Sequence, residues 1–168
     1  MSMLFRLLGA VLIMGGCAAA GFVLAAQLHS RRQTAAMLGR YWGDYMRQME
    51  LTAQPPTETA RILAERAPYR EELFAQTLGA PHGTQSMGLL LRSAMERCDL
   101  TDTAKKAMQP LADTLGQMPM EAEKQVLLGV QNALRQEEEY WAERESRQGA
   151  LFRRLGVLGG LALAVLFI

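Results

Sequence analysis

Apolar and polar positions fall into three blocks along this chain. From Leu7 to Leu28 the sequence reads LLGAVLIMGGCAAAGFVLAAQL, with no charged side chain. A run of roughly 20 such residues matches a hydrocarbon core of ~30 Å at about 1.5 Å per residue. Arg6 precedes the run, and His29, Arg31 and Arg32 follow it. A cleaved signal peptide would have a shorter apolar region. A lipoprotein signal ending at Cys17 would turn polar afterwards, whereas this chain stays apolar to Ala26. The length favours an uncleaved anchor. The closing block, Leu155 to Ile168, is apolar on every helical face, which one-sided burial in a water-soluble core does not require. Counted back to Leu151 it approaches about 18 residues, provided Arg153 and Arg154 snorkel towards the headgroups.

Between these blocks the pattern turns helical and amphipathic. Leu38, Tyr41 or Trp42, Tyr45 and Met49 recur at helical spacing, so the first helix is predicted to continue until Pro55-Pro56 stops it. Thr57 is predicted to cap a helix over ETARILAER, and Pro68 to close it and open YREELFAQTL, with Gly79 as its C-cap. The Gly79–Gly88 stretch reads as the longest loop. Leu89 to Cys98 is predicted as a short helix. Thr101 then caps DTAKKAMQ, which Pro110 is expected to kink or restart, and Gly116 to Pro119 form the last break. No proline follows Met120, so one helix of roughly 70 Å is predicted to Ile168. Its stripe Val126, Leu127, Val130 and Leu134 faces the domain. Beyond it the charged stretch, with pairs such as Glu143 and Arg147, reads as a solvated stalk.

The fold class expected is therefore all-α. An N-terminal transmembrane helix (1–28) and a C-terminal one (150–168) flank a small helical domain with a stalk helix (29–149). The side of the membrane follows from charge. Arg31, Arg32 and Arg40, with Arg144, Arg147, Arg153 and Arg154, all flank the central domain, while the opposite side carries only Arg6. The positive-inside rule places that domain in the cytoplasm.

Composition narrows the function. Eighteen basic and seventeen acidic side chains in 168 residues leave no net basic character to suggest nucleic acid. The two cysteines, Cys17 and Cys98, form no CxxC or Cys/His cluster, and His29 and His82 have no acidic neighbour at a ligand or triad spacing. GAPHGT has the wrong glycine spacing and no lysine for a phosphate loop. No catalytic, cofactor-binding or metal-binding residue, and no small-molecule substrate, is expected. The positive signal is in small residues. Gly156 and Gly160 are four apart, as are Gly16 and Ala20, and Cys17 and Gly21. Such faces let helices approach closely in lipid, either within this chain or onto a neighbour.

Four stretches carry a resemblance. An anchor of small residues is followed at once by arginines. Then come MELTAQPP (Met49 to Pro56), ADTLGQ (Ala112 to Gln117) and RRLGVLGGLALAVLFI (Arg153 to Ile168). The chain resembles the stage III sporulation protein AB family of endospore-forming bacteria, and departs from it where Met118-Pro119-Met120 replaces an acidic position. The resemblance implies a noncatalytic scaffold of the sporulation channel between mother cell and forespore. It would lie in the membrane around the forespore, with its helical domain in the mother-cell cytoplasm, similar to inner-membrane platform proteins of type II secretion and type IV pilus machines. The partners implied are a cytoplasmic ATPase, other membrane subunits of the channel, and lipid. The residues alone also allow a membrane-tethered adaptor that sequesters a soluble factor.

Overall fold

The structure is a computed structural model that describes residues 2–52, 54–80 and 86–167, without the side chains of 2–8, 10, 13, 153, 160, 163, 164, 166 and 167. It is helical, and among the described residues there is no strand. The helices are α1 (Ser2–Thr52), α2 (Pro56–Glu65), α3 (Leu73–Gly79), α4 (Met87–Arg97), α5 (Asp102–Thr114), α6 (Met120–Arg144) and α7 (Ala150–Phe167). A 3₁₀ turn, Tyr69–Glu71, precedes α3, and a π turn, Glu145–Gly149, lies between α6 and α7. The chain divides into two compact units, one of Met1–Arg32 with Glu139–Ile168 and one of Gln33–Glu138.

The central unit is built on the aromatic stripe of α1. Leu38, Tyr41, Trp42, Tyr45 and Met49 are all buried, because steps of three and four residues return to one helix face. Tyr41 meets Trp42, Tyr69 and Phe74 edge-on at 5.3, 5.3 and 5.6 Å between ring centroids. Each such pair adds about 0.5–1.5 kcal/mol beyond the area it buries. The indole N–H of Trp42 donates to the Met108 sulfur at 3.4 Å, and the Tyr69 hydroxyl donates to Asp44 Oδ2 at 2.7 Å. Leu63 of α2, Leu78 of α3, Leu91 of α4, Leu111 of α5, and Leu127 and Leu134 of α6 complete the core. Close backbone approach sets two of the packings. A Cβ on Gly79 would lie 2.5 Å from Ala64 Cβ, and one on Gly88 would lie 2.1 Å from the Ala112 carbonyl oxygen.

Local signals set some element ends and not others. Thr101 caps α5, its Oγ1 accepting from the Ala104 N–H at 3.2 Å, and α1 runs to Thr52 just short of the two prolines. Gly116 adopts φ +76°, the left-handed conformation that suits glycine, and α6 starts after Pro119. Thr57 is not the cap of α2. Pro55 is, with Pro56 in the first turn, where its missing N–H costs nothing. The expected helix from Tyr69 begins as a 3₁₀ turn, and α3 starts only at Leu73. Gly79 is the last residue of α3, and Ala80 takes the cap position. The first turn of α4 reaches back to Met87, while 81–85 of the expected loop lie outside the described residues. Pro110 does not restart a helix: α5 passes through it. The Thr114 hydroxyl donates to the Pro110 carbonyl at 2.9 Å, and buried Met108, Leu111 and Ala112 hold that turn in the core. Tertiary packing outweighs one lost backbone hydrogen bond here.

The stretch beyond Leu134 is less solvated than its charges suggest. Glu137 is buried and accepts from the Thr101 hydroxyl, and Trp141 is also buried. Arg147 does pair with Glu143, at 2.7 Å.

Candidate functional site

The first unit is organised by small residues and by a cluster of charged and aromatic side chains. On α1, Gly21 and Leu28 are buried and Cys17, Ala18 and Ala25 are half-buried, at steps of one, three and four residues along one face. That face meets α7 with backbone nearly touching backbone. A Cβ on Gly21 would lie 2.5 Å from the Phe152 carbonyl oxygen and 3.2 Å from Gly156 Cα. A Cβ on Gly156 would lie 2.7 Å from the Cys17 carbonyl oxygen. Only hydrogen fits at either position, the geometry by which small residues let helices associate through van der Waals contact. Gly16 and Ala20 are exposed, and nothing lies within 4 Å of a Cβ built on Gly16. The structure thus brings together Gly21 and Gly156, one from each of two candidate pairs. The surroundings of Gly160 lie outside the described residues.

Next to this seam, Glu145 binds two side chains at once. His29 Nδ1 lies 2.8 Å from Oε1, and Arg32 Nη1 donates to Oε2 at 3.1 Å. The hydrogen bonds from His29 and then from Arg32 hold the Glu145 carboxyl below the usual carboxylate range. Arg31 lies over the Trp141 ring, 5.0 Å from its centroid, and Arg144 lies over Tyr140 at 4.9 Å. These cation–π contacts contribute about 0.5–1 kcal/mol where water reaches them. The π turn inserts an extra residue per turn beside this cluster, a feature that often marks functional segments.

Of the arginines expected to set topology, Arg31 and Arg32 therefore have defined partners, on Trp141 and Glu145. Arg154 is exposed, and the side chain of Arg153 lies outside the described residues. Local spacing gives His29 no acidic neighbour. Its partner is 116 positions away, and no local pattern carries that information.

In the central unit, Ala36, Gly39, Arg40, Gln131, Asn132 and Glu138 line a polar cleft of about 280 Å³. Cys98 is half-buried, and burial raises its thiol pKa. His82 lies outside the described residues. Among the described residues, no group of three or more His, Cys, Asp or Glu side chains is placed to hold a metal ion. Among them, too, no helix is long and apolar enough to cross a membrane. Parts of both expected spans lie among the residues whose side chains are not described.

The fold and this arrangement define a small all-helical protein with an aromatic-cored central unit and glycine-seamed terminal helices. The model of the stage III sporulation protein AB family matches residues 6–168, and the chain belongs to that family. Its role is accordingly in sporulation. No curated protein and no solved structure matches it.

Proposed function

We propose that the protein is a two-span membrane scaffold of a sporulation channel. The observation that carries this reading is the seam of Gly21 and Gly156, which packs the apolar terminal helices of one family member backbone to backbone. In lipid such a pair buries its small faces and leaves the bulky ones, Val11, Leu12, Phe22, Val157 and Leu158, turned outward. Those outward faces suit lipid and neighbouring membrane subunits. Arg31, Arg144, Tyr140 and Trp141, joined by cation–π and ring contacts, supply the residue types of an aromatic and basic belt, which supports a headgroup position on the cytoplasmic side. The central unit then lies in the mother-cell cytoplasm and docks an ATPase, as in the secretion platforms that the family resembles. Function resides in contact faces, where a few residues dominate the energy.

The test is a pull-down of the tagged full-length protein from its own host during sporulation. The ATPase encoded beside it and small membrane subunits should co-purify, and the ATPase should vanish when 33–138 is deleted. Replacing both terminal helices with unrelated apolar helices should abolish recovery of the membrane subunits. Unchanged function after that swap would overturn the scaffold reading in favour of a tethered adaptor.

A further inference from the structure

The central unit holds a second cleft, of about 240 Å³, with an unusual floor. Three methionines, Met49, Met118 and Met120, form its walls, and Glu123 and Gln54 also line it. Glu123 is 3% exposed. One of its carboxylate oxygens accepts from the Gly116 N–H at 3.4 Å, while the other, Oε1, is buried with no hydrogen-bond partner among the described residues. The side-chain oxygen of Gln54 is in the same condition. Lys124, the cation next to it in sequence, is paired with Glu50.

A buried acceptor without a donor is costly, and a buried carboxylate more so. Native structures rarely keep such groups without a use for them. Here two lie in one opening, both acceptors, between walls that are apolar and adaptable. Met118 and Met120 are exposed at 39% and 41%, so these walls reach the surface. Flexible thioether side chains conform to varied partners. The occupant that fits must bring several N–H donors and a positive charge, tolerate apolar contact and be slender. A guanidinium meets these demands better than an ammonium, since it is planar, weakly hydrated and carries five donors. The volume is below the ~300–1,000 Å³ of sites for drug-sized molecules, which suits a single long side chain.

We propose that this cleft is a docking site for an arginine side chain presented by a partner protein, with Glu123 and Gln54 receiving the guanidinium and the three methionines gripping its stem. The inference rests on the docking role proposed for the central unit. It adds the chemistry of the anchor.

The test uses the full-length protein in detergent micelles with ¹³C-methyl-labelled methionine. The probe is acetyl-Leu-Arg-Leu-amide, and its control carries citrulline, the neutral isostere, in place of arginine. The arginine probe should shift the Met49, Met118 and Met120 methyl signals saturably and leave buried Met108 still. Citrulline should bind at least tenfold more weakly. Glu123→Gln should weaken arginine binding at least tenfold, with the Met108 signal reporting an intact core. Equal binding of arginine and citrulline by the unmodified protein, or shifts that spare these methionines, would overturn the proposal whether or not the variant folds. The two readings fail separately. Equal probe binding alongside recovery of the ATPase sinks the arginine site and leaves the scaffold standing. Arginine-selective binding with no channel partner recovered keeps the site and removes the scaffold.

Discussion

Replacing Gly88 by alanine should destabilise the central unit although alanine is the better helix former. Gly88 lies in the first turn of α4, and a Cβ there would lie 2.1 Å from the carbonyl oxygen of Ala112 on α5. The obstacle is backbone, so no rotamer change relieves it, and the two helices must separate by roughly 1 Å. Overpacking of a well-filled core costs up to about 3 kcal/mol. The gain from glycine to alanine in a helix offsets about 1 kcal/mol of this. A net loss of about 2 kcal/mol follows, which for a domain of this size lowers Tm by roughly 10 °C. Gly129→Ala is the matched control. Gly129 is an exposed position inside α6 with nothing within 4 Å of an added Cβ, so the helix gain of up to about 1 kcal/mol should appear alone and raise Tm. Thermal unfolding of the full chain by near-ultraviolet circular dichroism reads both. Shifts of the same sign in the two variants would refute the argument from close approach.

Three further outcomes are expected. Tyr41→Phe should stabilise the fold by about 1 kcal/mol in denaturant unfolding, because the Tyr41 hydroxyl is fully buried without a hydrogen-bond partner among the described residues; a loss of stability would mean that the hydroxyl is satisfied. Burial raises the Glu123 pKa above 4.5, against a smaller opposing effect of the Gly116 N–H, so the folded state holds this proton more tightly than the unfolded one. Its favourable contribution is then complete below the unfolded-state value and is lost as pH rises through the folded one. Glu123→Gln should flatten stability between mildly acidic and neutral pH and raise it at neutral pH, as urea titrations across that window would read; an unchanged slope would rule out burial as the cause. Gly21→Leu should part the terminal helices, since its side chain would enter the Phe152 carbonyl. Spin labels at Phe22 and Leu155 should then show a longer, broader distance distribution, and an unaltered one would mean that the seam does not hold the pair.

Much of this protein is set by short-range rules that the sequence states openly. Steps of three and four residues put Leu38, Tyr41, Trp42, Tyr45 and Met49 on one face, and all five are buried. The hydroxyl of Thr101 and the left-handed freedom of Gly116 mark the start of α5 and the turn before α6, because capping and backbone conformation depend on only a few neighbouring residues. Helical character, the terminal apolar blocks and the family are legible on the same footing. The tertiary structure decides what depends on distant partners. It chooses Gly21 and Gly156 from the candidate small residues, and it gives His29 and Arg32 a shared carboxylate on Glu145. It buries Glu123 beside a methionine-lined cleft and lets α5 run through Pro110. Periodicity shows which face of a helix is apolar. Which neighbour meets that face, how closely the backbones approach, and which polar atoms are left without a donor depend on packing between segments far apart in the chain, where no local spacing records the outcome.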